Sequence, residues 1–137
     1  MPTKLPAKQK GEWAEVCFAA EILRRGWGIA RPNGDSGPYD CIVDAGGRLS
    51  RVQVKSVEKA AGKGRFHATV AAGRNKKRGY SAQQVDLLAI LVIPWRSWYV
   101  IPLRAVRGRK AISIREGGRF GEYREAWEFF QKARSRR

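Results

Sequence analysis

The chain has 137 residues, which suits one domain with a real hydrophobic core and leaves no room for two. It carries 28 Lys and Arg against 12 Asp and Glu, giving a formal net charge of +16 and a pI near 10.8. The whole excess lies in residues 48–79 and 104–137. Basic charge clustered in this way is typical of nucleic-acid binders rather than of a merely soluble cationic protein.

Composition also excludes several classes of protein. No stretch is apolar and long enough to span a bilayer, and no basic amphipathic helix with a bulky apolar face favours a membrane-surface role. The start lacks the apolar region of a secretion signal, so we expect a cytoplasmic protein that joins the nucleoid when bound to DNA. Cys17 and Cys41 lie in apolar runs and are expected in the core. His67 is the only histidine, so the usual sulfur and nitrogen ligands of zinc are too few and any metal must be bound by oxygen.

The first predicted elements are a loose basic arm over residues 1–9 and a helix from about Gly11 to Arg25, which Gly26 ends. The expected core face of this helix consists of Trp13, Val16, Cys17, Ala20 and Leu23. Glu15 lies on a second apolar face, where its neighbours at helical spacing are Phe18, Ala19 and Ile22. A half-buried acid needs a partner, such as a cation. The alternative for Glu15 is a surface ion pair, although neither Arg24 nor Arg25 has the right spacing.

A short strand at 27–31 and a turn-rich loop at 32–37 lead into a predicted β-hairpin with strands at about 39–44 and 50–57. Gly46-Gly47 is a two-residue hairpin signal, so Ala45 should pair with Arg48. That register places Asp40 opposite Gln53, with Cβ atoms roughly 4.5–5.5 Å apart. Alternation places Lys55 on the same face as Gln53. The hairpin therefore gathers an acid, an amide and a lysine at one end.

These residues suit phosphodiester hydrolysis. Mg²⁺ prefers one or two carboxylates together with other oxygen ligands, and it can neutralise a phosphate and activate water. We expect Asp40 to anchor the cation, with the side-chain oxygen of Gln53 and the carbonyl of Val54 as further ligands. Lys55 would orient the attacking water or stabilise charge on the phosphate. The plain alternative is that Asp40 is a turn residue and Lys55 a solvated strand residue.

The rest of the chain predicts four strands and a second helix. The strands are expected at Phe66 to Ala72, Leu87 to Ile93, Trp98 to Ile101 and Ala111 to Arg115. A short helical turn should open at Ser81, and an amphipathic helix should run from Phe120 to Lys132 with its aromatic stripe in the core or at a subunit contact. A basic tail follows at about 133–137. The basic loop Arg74, Lys76, Lys77 and Arg78 is predicted to clamp phosphates, the alternative being a solvated loop.

In order and context these motifs resemble the PD-(D/E)XK nuclease superfamily. The resemblance runs through Lys10-Gly11, Glu15, Pro38-x-Asp40 and Gln53-x-Lys55-Ser56. The helix motif is similar to that of archaeal Holliday junction resolvases. Val52 to Ser56, with Tyr80, Asp86 and Trp98 to Pro102, is more similar to a group I intron-encoded homing endonuclease subgroup. Most of the superfamily has Glu or Asp where this chain has Gln53, which should weaken metal binding without abolishing it.

The resemblance implies an α/β fold with a restriction-endonuclease-like αβββαβ core, a mixed central β-sheet flanked by helices. It implies Glu15, Asp40, Gln53 and Lys55 as catalytic residues, with Glu15 joining the metal ligands, and Mg²⁺ as cofactor, for which Mn²⁺ should substitute. It also adds Lys10 and Ser56 to the DNA contacts.

The predicted function is a metal-dependent DNA endonuclease, homing- or restriction-like, acting on double-stranded or branched DNA. The alternatives are a Holliday junction resolvase and a non-catalytic DNA-binding protein on a nuclease scaffold. An RNA-binding basic protein would explain the charge but not the four site residues. One site per chain predicts a homodimer or higher homo-oligomer if both strands of a duplex are cut.

Overall fold

The computed structural model describes residues 4–34, 37–72, 78–79 and 84–132, with the backbone alone at 71–72 and 78–79. The predicted roles of Arg74, Lys76 and Lys77, of Tyr80, of the turn at Ser81 and of the basic tail fall outside these residues. The side chain of Arg78 also lies outside the described part.

The described chain contains one α-helix, nine short or medium strands and several 3₁₀ turns. The helix α1 is Ala7–Arg24, and the strands are β1 Gly28–Ala30, β2 Cys41–Ala45, β3 Arg48–Val57, β4 Arg65–Thr69, β5 Ala71–Ala72, β6 Arg78–Gly79, β7 Leu87–Val92, β8 Ser97–Pro102 and β9 Ala111–Arg115. All four strands predicted after the hairpin are present, although the first of them is divided between β4 and β5.

Five strands form a mixed sheet in the order β1-β2-β3-β7-β8. β3 and β7 are parallel, whereas the other neighbours are antiparallel. β4 pairs with β9 as a separate two-stranded ribbon, and β5 pairs with β6. The mixed sheet with its flanking helix confirms the predicted α/β, restriction-endonuclease-like class. No α-helix occurs between β3 and β7 in the part of that connection that the structure describes.

The sheet has a different cover on each face. α1 packs on one face, where Phe18 and Ile22 are fully buried among the side chains of β2, β3, β7 and β8. The inner side of the β4–β9 ribbon covers the other face, where Phe66 and Ile114 pack against Leu88 and Ile90 of β7. The central strand β7 is therefore buried on both faces, which explains why it is an unbroken apolar run.

The predicted core face of α1 is wrong in part, although its Trp13 and Cys17 are half-buried against the core. Val16 and Leu23 are about 60% exposed, whereas Ala14, Phe18 and Ile22 are buried. Phe18 lies 5.4 Å from the ring of Trp98 and 6.1 Å from that of Phe130. Both sides of this helix are apolar, so periodicity identified a helix but could not choose between its faces. The helix also begins at Ala7, earlier than predicted, and so includes the end of the expected arm.

The predicted helix from Phe120 to Lys132 is also wrong. This segment forms two 3₁₀ turns, Gly121–Tyr123 and Trp127–Phe130, separated by Glu125 with a φ of 53°. The segment has no continuous helical hydrogen bonding, and Glu125 instead bonds to the edge strand β8. Its N–H donates to the Trp98 carbonyl at 2.7 Å, and its carboxylate accepts the N–H of Trp98 at 2.7 Å.

The core contains several aromatic side chains and one of the two thiols, whereas Cys17 is only half-buried. Trp98, Tyr99, Trp127 and Phe130 are buried. Cys41 is buried as expected, and burial raises the pKa of its thiol to about 12, which leaves it unreactive. No helix among the described residues is long and apolar enough to cross a membrane.

Candidate active site

The β2–β3 hairpin has the predicted register. Ala45 pairs with Arg48, and the ladder continues to Cys41 opposite Val52. Gly46 and Gly47 both have positive φ, 65° and 92°, which this two-residue turn requires at both central positions. The turn therefore fixes which residues of the two strands meet at the far end, where the candidate site lies.

Asp40 lies just beyond this ladder. A regular continuation would make it the non-hydrogen-bonded partner of Gln53, with its N–H pointing away from β3. Instead its N–H donates to the Val52 carbonyl at 2.8 Å. The backbone at Asp40 thus departs from the regular antiparallel hydrogen-bond pattern, like the backbone of a β-bulge. Bulges often redirect side chains next to active sites.

The carboxylate of Asp40 is held by β3. Its Oδ2 accepts the Val54 N–H at 2.8 Å and the Gln53 side-chain N–H at 2.9 Å. The side chain thus takes the place of the backbone carbonyl that a regular extension of β2 would have offered Val54. Both bonds use Oδ2, so Oδ1 is the oxygen that could bind a cation.

Gln53 is oriented differently from the prediction of a simple metal ligand. Its amide nitrogen faces Asp40, as donor in the 2.9 Å hydrogen bond. Its side-chain oxygen takes no part in that bond and is the atom that could ligate a cation. The amide therefore positions the Asp40 carboxylate, a task that a Glu at this position could not perform when ionised.

Lys55 lies on the same face as Gln53. Gln53 pairs with Leu88 of β7 and Lys55 pairs with Ile90. Both partners point to the core beneath the β4–β9 ribbon. Burial raises the pKa of Asp40, and the Lys55 ammonium is close enough for its charge to oppose that shift. The predicted trio of acid, amide and lysine is thus gathered at one end of the sheet.

Glu15 approaches from α1, as the resemblance implied. Together with Asp40 it lines a groove of about 410 Å³ between α1 and the loop before β2. Its partner is Arg31, whose Nη1 lies 3.6 Å from Glu15 Oε1. Arg24 and Arg25, considered as alternatives, both bind Glu21 instead. Sequence reasoning missed Arg31, because only the tertiary fold brings the end of β1 against α1.

The pKa values of the two carboxyl groups are raised overall, although cationic side chains lie nearby. Burial raises the pKa of Glu15, and the nearby charge of Asp40 raises it further, while Arg31 opposes both. Burial likewise raises the pKa of Asp40, although the Val54 N–H, Lys55 and Arg31 all lower it. A bound cation would favour the charged form of both groups.

The donor set fits a hard divalent cation. Among the described residues no group of three or more His, Cys, Asp or Glu could hold a metal. The predicted ligands are carboxylate oxygens of Asp40 and Glu15, the Gln53 amide oxygen and the Val54 carbonyl, with water completing the shell. Mg²⁺ is commonly held by one or two carboxylates with several waters retained, so this sparse set matches its requirements.

Other predicted site residues have separate contacts. Lys10 forms a 2.8 Å ion pair with Glu58, just beyond the end of β3. Ser56 is half-buried, and alternation places its side chain on the α1 face of the sheet, opposite Lys55. Val54 offers its N–H to Asp40, while its side chain is buried in the core beneath α1.

Asp86, whose role the sequence left open, belongs to the fold. Its Oδ2 accepts the backbone N–H of Arg51 at 2.8 Å, and its Oδ1 accepts the guanidinium at 3.0 Å. The N–H of Asp86 donates in turn to the Arg51 carbonyl at 2.9 Å. These reciprocal bonds, called the Arg51–Asp86 clip, hold β3 against the start of β7 two residues before Gln53.

Comparisons with known proteins agree with this geometry. The PD-(D/E)XK endonuclease family matches residues 5–130. The chain belongs to this family. Among solved structures it is similar to the bacterial homing endonuclease I-Ssp6803I, with 28% identity, 90% of each chain covered and a TM-score of 0.76.

A second solved structure shares the fold. The Holliday junction resolvase Hjc of the archaeal hyperthermophile Archaeoglobus fulgidus is 18% identical, with 79% of this chain and 85% of Hjc covered and a TM-score of 0.52. A comparison with curated proteins found no match. Both resemblances predicted from the sequence, to homing endonucleases and to resolvases, are thereby confirmed.

Proposed function

We propose that this nuclease-family protein is a metal-dependent DNA endonuclease that hydrolyses phosphodiester bonds. One observation carries the proposal: the Asp40 carboxylate is fixed by the Val54 N–H and the Gln53 amide. The positive charge of Lys55 favours the ionised form of the Asp40 carboxylate. Glu15 lines the same groove as Asp40. An ordinary turn aspartate would have no need of these neighbours.

Each residue has a distinct proposed role. Asp40 and Glu15 hold a divalent cation, Mg²⁺ with Mn²⁺ as a substitute, and the Gln53 amide oxygen and the Val54 carbonyl complete the protein ligands. When bound, such a cation neutralises phosphate charge and lowers the pKa of water. Lys55 orients the attacking water or stabilises charge on the phosphate, a task suited to an ammonium near the anchoring carboxylate.

Duplex DNA is the proposed substrate, with homing-type or restriction-like cutting as the leading mode. The net charge of +16 supports a polyanionic partner. Similarity to a homing endonuclease over 90% of both chains favours that mode, since Hjc shares only the fold. Because each chain has one site, we propose a homodimer or higher homo-oligomer for cutting both strands. The exposed Val16 and Leu23 of α1 offer an apolar contact surface for it.

The test is an incubation of supercoiled plasmid and of a synthetic four-way junction with the protein in Mg²⁺, Mn²⁺ or EDTA. Asp40→Asn and Lys55→Ala should each lower the cleavage rate by roughly 10²–10⁴-fold. The matched controls are Asp44→Asn, an exposed acid of β2, and Lys59→Ala, an exposed lysine just after β3. Both should cut like the wild type.

The outcomes separate the alternatives. Metal-dependent cutting that both site variants lose supports the proposal, and a strong preference for the junction would replace homing-type cutting with junction resolution. Tight binding without cutting, even of a substrate library covering long target sites, would instead indicate a DNA-binding protein on a nuclease scaffold. Cutting that is unchanged in both site variants would refute the assignment of the site.

A further inference from the structure

The β4–β9 ribbon has two chemically opposite faces. Strand alternation buries Phe66 and Ala68 of β4, together with Ile112 and Ile114 of β9, against the central sheet. The outward positions are Arg65, His67, Ser113 and Arg115, all exposed. The inner face explains why the ribbon is there, but nothing in the core requires the charges on its outer face.

The outward charges are arranged unfavourably for the protein alone. Arg65 is the direct cross-strand partner of Arg115. Like charges directly opposite each other on one face destabilise a strand pair. An anionic ligand held between the two guanidinium groups would turn this repulsion into attraction.

A basic groove extends from this pair. Arg65 and Arg115, with Arg109 and Arg119, line a groove of about 370 Å³ on the ribbon. None of the four forms an ion pair with a carboxylate of the described residues. The nearby acid, Glu116, is engaged by Arg124. The groove therefore carries net positive charge without local compensation.

We propose that the outer face of the β4–β9 ribbon, the basic ribbon, binds the phosphate backbone of duplex DNA outside the reaction centre. Guanidinium groups match phosphate geometry with paired hydrogen bonds, and the Ser113 hydroxyl adds a neutral donor. The choice of DNA rests on the proposed function. The inference goes beyond that function in assigning a separate anchoring surface, which no catalytic residue shares.

The position of the ribbon suits an anchor for the same duplex. It covers the sheet face from which Gln53 and Lys55 project, since their β7 partners belong to the core beneath the ribbon. The ribbon and the side chains of Gln53 and Lys55 therefore lie on the same side of the sheet. Contacts to phosphates there would position the duplex without reading its sequence.

The experiment measures binding alone. A labelled 30-base-pair duplex of arbitrary sequence is titrated in EDTA by fluorescence anisotropy, between 50 and 200 mM salt. The ribbon variant is Arg65→Gln/Arg115→Gln. The control is Arg24→Gln/Arg48→Gln, which removes the same charge from the end of α1 and from the hairpin turn. A duplex RNA of equal length is titrated in parallel.

Losing two phosphate contacts should reduce the slope of log K against log salt by about 1.8 and weaken binding at 50 mM salt by at least about tenfold. The control should keep the wild-type slope. The ribbon variant should also melt no lower than the wild type, because it relieves the opposed arginines. A melting temperature that stays level rules out misfolding as the cause of weaker binding.

Failure of this inference is distinguishable from failure of the proposed function. If the wild type cuts DNA but ribbon and control variants bind DNA equally, the ribbon assignment is wrong and the nuclease stands. If nothing is cut but the ribbon variant alone loses affinity, the ribbon assignment stands and the nuclease is wrong. A ribbon effect seen with duplex RNA and absent with DNA would overturn the choice of DNA.

Discussion

Replacing Gln53 with Glu should make the stability of this protein depend on a divalent cation. The substitution gives the position the carboxylate that most of the superfamily has there. In the metal-free protein, however, it removes the 2.9 Å hydrogen bond from the Gln53 amide to Asp40 Oδ2. A hydrogen bond to a charged group contributes about 1.5–3 kcal/mol. It also places a second carboxylate beside the first.

The repulsion energy between the introduced carboxylate of this variant and that of Asp40 can be estimated from the same contact. Two like charges about 4 Å apart cost about 4 kcal/mol at an effective dielectric constant of about 20. The pair can lower this cost by sharing a proton, as coupled carboxyl groups do. At pH 6, protonating a carboxyl group costs only about 2 kcal/mol, so we expect Gln53→Glu to lose about 2–4 kcal/mol of unfolding free energy in EDTA at that pH. For a chain of this length, that corresponds to a fall of roughly 10 °C in Tm.

Thermal unfolding with and without Mg²⁺ or Mn²⁺ tests this reasoning. Cation binding should restore most of the lost Tm of Gln53→Glu and raise that of the wild type less, since the added carboxylate increases cation affinity. Gln53→Ala is the matched control, because it loses the hydrogen bond without gaining a charge and should show no enhanced cation rescue. If Gln53→Glu is as stable as the wild type in EDTA, or if cations do not rescue it, the placement of Gln53 against Asp40 is wrong.

Two further predictions follow from the contacts around the site. Asp86→Ala should cost roughly 2–4 kcal/mol in urea unfolding, because it removes the buried carboxylate that accepts the N–H and the guanidinium of Arg51. A cost below about 0.5 kcal/mol would contradict the proposed clip. In EDTA, Glu15→Gln should melt like the wild type near pH 4 and higher than it at pH 7. The folded pKa of Glu15 is raised by burial and by Asp40, so ionising Glu15 destabilises the fold as the pH rises through that pKa. Saturating Mg²⁺ should reverse the advantage, and a Tm difference that does not change with pH would count against the acid pair.

The hairpin, and the candidate site at its far end, could be predicted because they depend on local sequence signals. Two consecutive glycines fix the turn, the turn fixes the register, and strand alternation then places Asp40, Gln53 and Lys55 together. Likewise, the unbroken apolar run of β7 predicted a strand buried on both faces. Local signals of this kind need no knowledge of the rest of the fold.

Some features were decided by tertiary packing alone. α1 has two apolar sides, and the burial of Phe18 among the aromatic rings of the core selects one of them. The segment around Glu125 has helical periodicity, yet its contacts with β8 outweigh helix formation. The pairing of Glu15 with Arg31 and the clip between Arg51 and Asp86 join residues far apart in sequence.

The amino-acid sequence by itself thus determined the family, the mixed α/β class, the hairpin register and the basic character of the chain. Only the tertiary structure decided that the Gln53 amide holds Asp40 through its nitrogen, and that Arg65 faces Arg115 across the ribbon. The physical reason is that periodicity and turn chemistry act over a few residues. Side-chain orientation and charge pairing depend instead on distances set by the packed sheet.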